Sequence, residues 1–223
     1  MTQELRVIPM PDAECVLQVV VLADGDYPTG RVAVDLLARA AKVVCCDGAA
    51  RGFVERGGTP YAIVGDCDSL GGELSTRFAG IVHCDTDQET NDLTKAVRFC
   101  ISRGMCDITV LGATGRREDH TLANISLLVD YAQEAAVRMV TDTGVFDPIC
   151  TDTLFESFPG QQASIFTLSP ETLVTTIDLK YPLNRASLSG WWRGTLNQSP
   201  GRRFGFATTG PAIVYRQFPE TSK

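Results

Sequence analysis

Residues 80–111 read GIVHCDTDQETNDLTKAVRFCISRGMCDITVL, and their pattern decides the fold. Between Asp92 and Arg103, the apolar residues Leu93, Ala96, Val97, Cys100 and Ile101 recur with a 3.6-residue period, one face of an amphipathic helix. Short β-branched runs flank it at 80–83 and 108–111. Strand, helix and strand at this spacing make a βαβ unit, with two parallel strands and a helix laid across them. The alternation extends outward, with strands expected at 16–22, 42–46, 62–64 and 137–140 and helices at 32–41, 51–56 and 121–136. After Thr143 the helical period stops. Short alternating segments at 162–168, 174–179, 204–208 and 212–215, separated by Pro, Gly, Asn and Ser, predict antiparallel β-structure. The expected class is therefore α/β plus all-β: a mostly parallel N-terminal sheet with flanking helices, then an antiparallel part, with the boundary near residues 141–144.

Composition narrows the function. The 223 residues carry a formal charge of −7, with 44% hydrophobic and 21% charged residues, the balance of an ordinary globular protein. An acidic chain is a poor match for nucleic acid, whose phosphates need a basic surface. No apolar run approaches the ~20 residues of a membrane helix, and the first residues, MTQELRVIPMPDAEC, lack a basic stretch followed by an apolar one. The expectation is a cytoplasmic protein with neither membrane nor nucleic-acid partner. Eight cysteines, at 15, 45, 46, 67, 84, 100, 106 and 150, form no CxxC and no zinc-ligand spacing. They read as small core hydrophobes of a reducing compartment, with Cys67 a spacer between two aspartates.

In an open α/β sheet, ligands bind beyond the carboxyl ends of the strands. Four such ends carry unusual polar groups: Asp47-Gly48, then Gly65-Asp66-Cys67-Asp68-Ser69, then 85–92, then Gly112-Ala113-Thr114-Gly115-Arg116-Arg117-Glu118-Asp119-His120. In extended chain Asp66 and Asp68 point the same way, and two carboxylates that close repel unless a cation lies between them. Oxygen-only ligands suit Mg²⁺; a solvated turn, with Asp66 and Ser69 as turn or cap residues, is the alternative. Asp92 opens a helix with Lys95 one turn on. The 112–119 segment joins glycines, two arginines and a helix N-terminus, an arrangement that favours phosphate, although it matches neither a Walker A loop nor GxGxxG. His83, at a strand end, reads as structural; His120 reads as site or cap.

In this order, Asp47-Gly48, Gly65-Asp66-x-Asp68-Ser69, Asn91-Asp92-Leu-x-Lys95 and Gly112-Ala-Thr-Gly-x-Arg117-x-Asp119-His120-x-Leu-Ala-Asn124 resemble the thiamine pyrophosphokinase (thiamine diphosphokinase) family. Further on, Asp178-Leu179-Lys180-Tyr181-Pro182-Leu183 and Thr195-Leu196-Asn197 extend the resemblance. It implies an α/β catalytic domain over 1–141 and a β-sandwich over 142–223 that binds thiamine and dimerises, in a homodimer whose active site both subunits share. It implies transfer of a pyrophosphoryl group from ATP, with Mg²⁺, to the thiamine hydroxyl, releasing AMP. Asp66, Asp68 and Asp92 would then hold the metal, with Lys95, Arg117 and Asp119 completing the catalytic set. Asp47, Gly48, Gly112, Thr114, Gly115, Arg117 and His120 would face ATP, and Gln88, Tyr181, Thr195 and Asn197 thiamine. Tyr181, Trp191 and Trp192 are the aromatic candidates against a flat cation, with sandwich core or dimer contact as the other reading. The chain departs from the family at Ala49-Ala50-Arg51, Arg116 and Leu196. Two other classes stay open: an Asp-x-Asp phosphatase with Asp66 as nucleophile, and a nucleotide-binding module without turnover.

Overall fold

The computed structural model describes residues 5–12, 18–68 and 70–219. The start of the first expected strand, Cys15 and Ser69 lie outside them. The chain divides into two compact units, one from Asp12 to Asp142, the other joining the first eleven residues to Thr143 and beyond.

Strand β1 (Arg6–Ile8) belongs to the second unit and is taken up there. The first unit holds β2 (Val19–Leu22), α1 (Arg31–Arg39), β3 (Val43–Cys46), α2 (Asp47–Glu55), β4 (Ala62–Gly65), α3 (Gly72–Arg77) and β5 (Val82–Cys84). It continues with α4 (Asp92–Ser102), β6 (Asp107–Leu111), α5 (Glu118–Ser126), α6 (Leu128–Tyr131) and β7 (Ala136–Val140). All six strands pair in parallel, in the order β7-β6-β2-β3-β4-β5. β2, β3 and β4 are buried at every position, as strands covered on both faces must be. The order reverses at β2, so the carboxyl ends of β2, β3 and β6 border the crevice where such sheets bind ligands. α4 buries Leu93, Ala96, Val97 and Cys100, the face its period marked. Two helices differ from expectation. α2 begins at Asp47 rather than Arg51, which makes Asp47 a helix residue. The helix expected over 121–136 breaks at Leu127 into α5, with no fully buried residue, and α6, which buries Leu128, Val129 and Tyr131.

The second unit contains β8 (Gly144–Ile149), β9 (Thr153–Glu156), β10 (Gln162–Thr167), β11 (Leu173–Ile177), β12 (Ala186–Ser187), β13 (Asn197–Gln198), β14 (Arg203–Thr208) and β15 (Ala212–Gln217). One sheet runs β1-β9-β14-β11-β12; in the other, β13, β10, β15 and β8 follow in antiparallel order. Phe155, Phe204 and Phe206 of the first sheet pack with Ala163, Ile165 and Val214 of the second in one core. Inside this apolar layer lies a buried ion pair. Arg216 donates to Asp147 Oδ2 at 2.7 and 3.2 Å, to the Pro9 and Glu156 carbonyls at 3.0 Å, and to that of Ile8 at 3.3 Å. The guanidinium, fully desolvated, therefore ties β1 and its neighbour Pro9 to a unit more than a hundred residues away in sequence. β1 pairs parallel to β9, Val7 against Leu154, whereas the sequence reading had placed all of 1–141 in the α/β part. Among the described residues no helix is long and apolar enough to cross a membrane.

Candidate active site

Two strand ends bring three acids together. Asp47 opens α2 just after β3, and Asp66 and Asp68 follow β4. Carboxylate oxygens of Asp47, Asp66 and Asp68 lie within 4.8 Å of one another. Asp47 is 2% exposed and accepts from the Gly48 N–H at 2.6 Å and the Cys67 N–H at 2.9 Å. Gly65 has to be glycine, because a Cβ there would meet the Asp47 side chain. Burial first, and then the charge of Asp92, push the Asp47 carboxyl up to about 6. Asp66 is held below the usual carboxylate range, chiefly by the Asp68 N–H it accepts at 3.2 Å. The donor set is all oxygen and carries more negative charge than its own hydrogen bonds offset, and it therefore fits a hard divalent cation. Asp47 thus sits among the metal-ligand candidates, where the resemblance puts it near the nucleotide or the metal. Asp92 is not one of the three clustered acids. It starts α4, whose cap is Asn91 accepting from the Thr94 N–H, and it lies 3.4 Å from the Nζ of Lys95, a lysine 4% exposed.

This cluster has a pH signature. With its acid shifted from 3.8 to about 6, metal-free folded protein keeps a proton that the unfolded chain loses between about pH 4 and pH 6. Stability therefore falls as pH rises through that window, and the cost of ionising Asp47 is complete above it. In chelator, Asp47→Asn should gain on wild type by about 1–3 kcal/mol between pH 4 and pH 7. Urea titrations at the two pH values check this; a pH-independent difference would refute it.

The glycine-rich segment after β6 is seated on the turn after β2. The Gly25 N–H donates to the Gly112 carbonyl at 2.6 Å and the Asp26 N–H to that of Thr114 at 2.8 Å. Gly112, Gly115 and Arg116 take positive φ values of 64°, 80° and 56°. At Gly115 a side chain would strike the Asp26 carboxylate. Arg116, a departure from the family pattern, reaches back to the Asp24 carboxylate at 2.8 Å and its carbonyl at 2.9 Å. Asn124 donates to the Ala113 carbonyl at 2.9 Å and accepts from Asn91 at 3.1 Å, linking this segment to the start of α4. Arg117 holds Asp119 in a two-pronged pair at 3.0 and 2.5 Å, exposed to solvent, and keeps that carboxyl at about 2. A cavity of about 390 Å³ brings together Asp66, Asp92, Lys95, Gln88, Gly115, Arg117 and His120. Gln88, expected toward thiamine, thus opens on the same cavity as the phosphate candidates. Asp24 and Gly25 also line it and were overlooked in the sequence, although they sit at the carboxyl end of the first predicted strand. His83 packs its ring on Phe99, as a structural residue would.

In the β unit, Tyr181, Thr195 and Asn197 line a separate cavity of about 350 Å³ with Arg193 and Leu196. The Asn197 amide is engaged by backbone: Oδ1 accepts from the Tyr181 and Gln198 N–H groups and Nδ2 donates to the Tyr181 carbonyl. It shapes the cavity by holding the Tyr181 segment. Tyr181 is 56% exposed, Trp191 packs edge-on against Phe166, and Trp192 faces solvent.

The cysteines need correction. Cys45, Cys46 and Cys100 are buried, as expected of core residues, and burial pushes the thiols of Cys45 and Cys100 up to about 12. Cys106 and Cys150 are exposed instead. Cys67 is not a spacer: it is bonded to Cys84. The parallel register sets Gly65 beside Cys84, which brings the two cysteines within reach, a proximity invisible without the strand pairing.

Comparison with known proteins decides the family. Residues 33–141 match "Thiamin pyrophosphokinase, catalytic domain", and residues 144–215 match "Thiamin pyrophosphokinase, substrate-binding domain". The chain belongs to the thiamin pyrophosphokinase family. Thiamin pyrophosphokinase 1 of Caenorhabditis elegans is 29% identical over 160 residues, 65% of this chain and 65% of that protein. Thiamine pyrophosphokinase 1 of rice is 30% identical over 145 residues, 58% of this chain and 55% of that one. The alignments thus span less than two thirds of these relatives' lengths. The fold matches the thiamin pyrophosphokinase of Candida albicans with a TM-score of 0.77 at 16% identity, covering 96% of this chain and 93% of the other. The Bacillus subtilis enzyme gives 0.73 at 21%, covering 91% and 99%. Both halves match one family, which leaves the phosphatase and regulatory-module readings without support.

Proposed function

We propose that this chain is a thiamine diphosphokinase, moving the terminal diphosphoryl group of ATP to the hydroxyl of thiamine and releasing AMP. The observation that carries the reading is one cavity lined by Asp66 of the acid cluster together with Asp92, Lys95 and Arg117, in a chain whose two halves both match the family. Asp66 and Asp68, backed by Asp47 and Asp92, would hold Mg²⁺, which when bound neutralises charge on the phosphates. Lys95, nearly buried beside Asp92, presents a fixed ammonium to the same cavity. Arg117 would exchange its Asp119 partner for phosphate oxygens, a fork-to-fork swap that guanidinium geometry favours. Asp119, released by the guanidinium that holds its carboxyl at about 2, is then free to face the substrate. Its role is to accept the hydrogen bond of the attacking hydroxyl and orient it, so positioning rather than strong proton abstraction carries the step. Tyr181 and Thr195, on the β unit, are the thiamine contacts, with Asn197 fixing the Tyr181 segment.

The reading includes a homodimer with a site shared between subunits and a cytoplasmic location, in keeping with five unpaired cysteines among the described residues. Incubation with ATP, Mg²⁺ and thiamine should release AMP only when all three are present, and a chelator should stop it. Formation of ADP alone, or phosphate release from a simple phosphomonoester, would contradict the reading. Light scattering should return twice the monomer mass; a fully active monomer would remove the shared site.

A further inference from the structure

The Cys67–Cys84 bond lies at the metal-ligand candidates, and nothing in the reaction calls for it. We infer that it is a reversible thiol–disulfide site through which a dithiol reductant sets the metal affinity of the acid cluster. The inference rests on the assignment of Asp66 and Asp68 as metal ligands.

One end of the bond adjoins the cluster, and the other stands where the segment leading to Asp92 begins. Cys67 stands between Asp66 and Asp68, and its N–H donates to Asp47 Oδ2 at 2.9 Å. Its φ of 70° is a left-handed conformation that a residue with a Cβ keeps only when its surroundings hold it there. The hydrogen bond to Asp47 and the bond to Cys84 are those restraints. On the other side, Cys84 ends β5, the outermost strand, which pairs with β4 over only three residues. The segment that follows leads to Asp92; the Asp85 N–H donates to the Gly65 carbonyl at 2.8 Å, and beyond it Asp85 and Asp87 accept the N–H groups of residues 87 and 89. Opening the bond removes one of two restraints on Cys67, the residue that sets Asp66 and Asp68 relative to each other.

Among the described residues three further cysteines are buried and unpaired and two are exposed and unpaired, which is not the pattern of a disulfide scaffold. An isolated bond in such a chain, with exposed Cys84 on the surface and Cys67 half-buried, is open to exchange. A reductant thiolate attacks Cys84 Sγ, and Cys67 leaves as a thiolate that takes up a proton. The second thiol of the reductant then resolves the mixed disulfide. The reductant ends as its own disulfide, oxidised by two electrons, and the protein as two thiols. Loss of a group that orients metal ligands weakens metal binding by about 10–100-fold, and the lower end is expected here because Asp47 keeps its hydrogen bond.

The test uses the full chain. Alkylation of free thiols before and after dithiothreitol, with peptide mapping, should find the 67–84 pair protected in mildly oxidised protein and open after reduction. Calorimetry with Mg²⁺ alone should then show affinity about tenfold weaker in the reduced form. Cys84→Ser should bind Mg²⁺ like the reduced protein whether or not reductant is present. Full alkylation of both cysteines in oxidised protein, or equal Mg²⁺ affinity in the two forms, would overturn the inference. Because neither readout needs turnover, a redox-dependent Mg²⁺ affinity without AMP release would support this site while rejecting the proposed reaction.

Discussion

Asp66→Asn should lower the rate of AMP formation by about 10²–10³-fold at saturating substrates, the size of effect seen when one preorganised electrostatic contact to a transition state is lost. The change removes a carboxylate from a cluster whose oxygens lie within 4.8 Å, so the cation and the phosphates it neutralises lose a direct partner. It does not break the fold. Asp66 follows β4 rather than packing in the core, and the Asp68 N–H that it accepts finds an acceptor in an asparagine oxygen as well. Without metal, the variant should melt at the same temperature as wild type or slightly lower, because the Asp68 N–H that favours the Asp66 charge then meets a neutral amide oxygen. Steady-state rates with Mg²⁺ and melting curves in chelator read the two effects separately. Near-wild-type turnover would remove Asp66 from the metal site.

Arg216→Ala should be the most damaging substitution for stability. The guanidinium and the Asp147 carboxylate are both desolvated inside the sandwich, and removing one partner leaves a buried charge uncompensated, at a cost of about 3–5 kcal/mol. It also orphans the carbonyls of Ile8, Pro9 and Glu156 and uncovers the Phe155 ring beneath the guanidinium. At ~4–8 °C per kcal/mol for a unit of this size, melting of the β unit should drop by well over ten degrees. Replacing both partners with apolar residues of similar volume, Arg216→Met with Asp147→Leu, should recover much of the loss, since a buried pair often contributes little beyond its own desolvation. Calorimetry of the single and double variants measures this; a single variant within a degree or two of wild type would contradict the account.

Much of the α/β unit was legible in the sequence because its signals are local. The apolar face of α4 and the unbroken runs of β2, β3 and β4 announce a covered parallel sheet, and the acids at their ends follow from where such sheets bind ligands. What escaped depends on non-local pairing. Residues 6–8 carry no mark of a partner at 153–155; the ladder with β9, the burial of Ile8 in the core and the reach of Arg216 join the first strand to the last unit. Cys67 and Cys84 meet because of the β4–β5 register, which periodicity does not reveal. The break at Leu127 has no glycine or proline to signal it. The resemblance sets Asn197 toward thiamine; that its amide is bonded to the Tyr181 backbone follows from the fold around it, since a buried amide takes the backbone partners within reach.

The central claim is attack at the β-phosphorus of ATP with AMP as leaving group. ATP labelled at its β-phosphorus, incubated with Mg²⁺, thiamine and the enzyme, tests it directly. The account predicts that the label moves into thiamine diphosphate while the AMP released carries none. Label retained in ADP, with thiamine monophosphate as the other product, would contradict it.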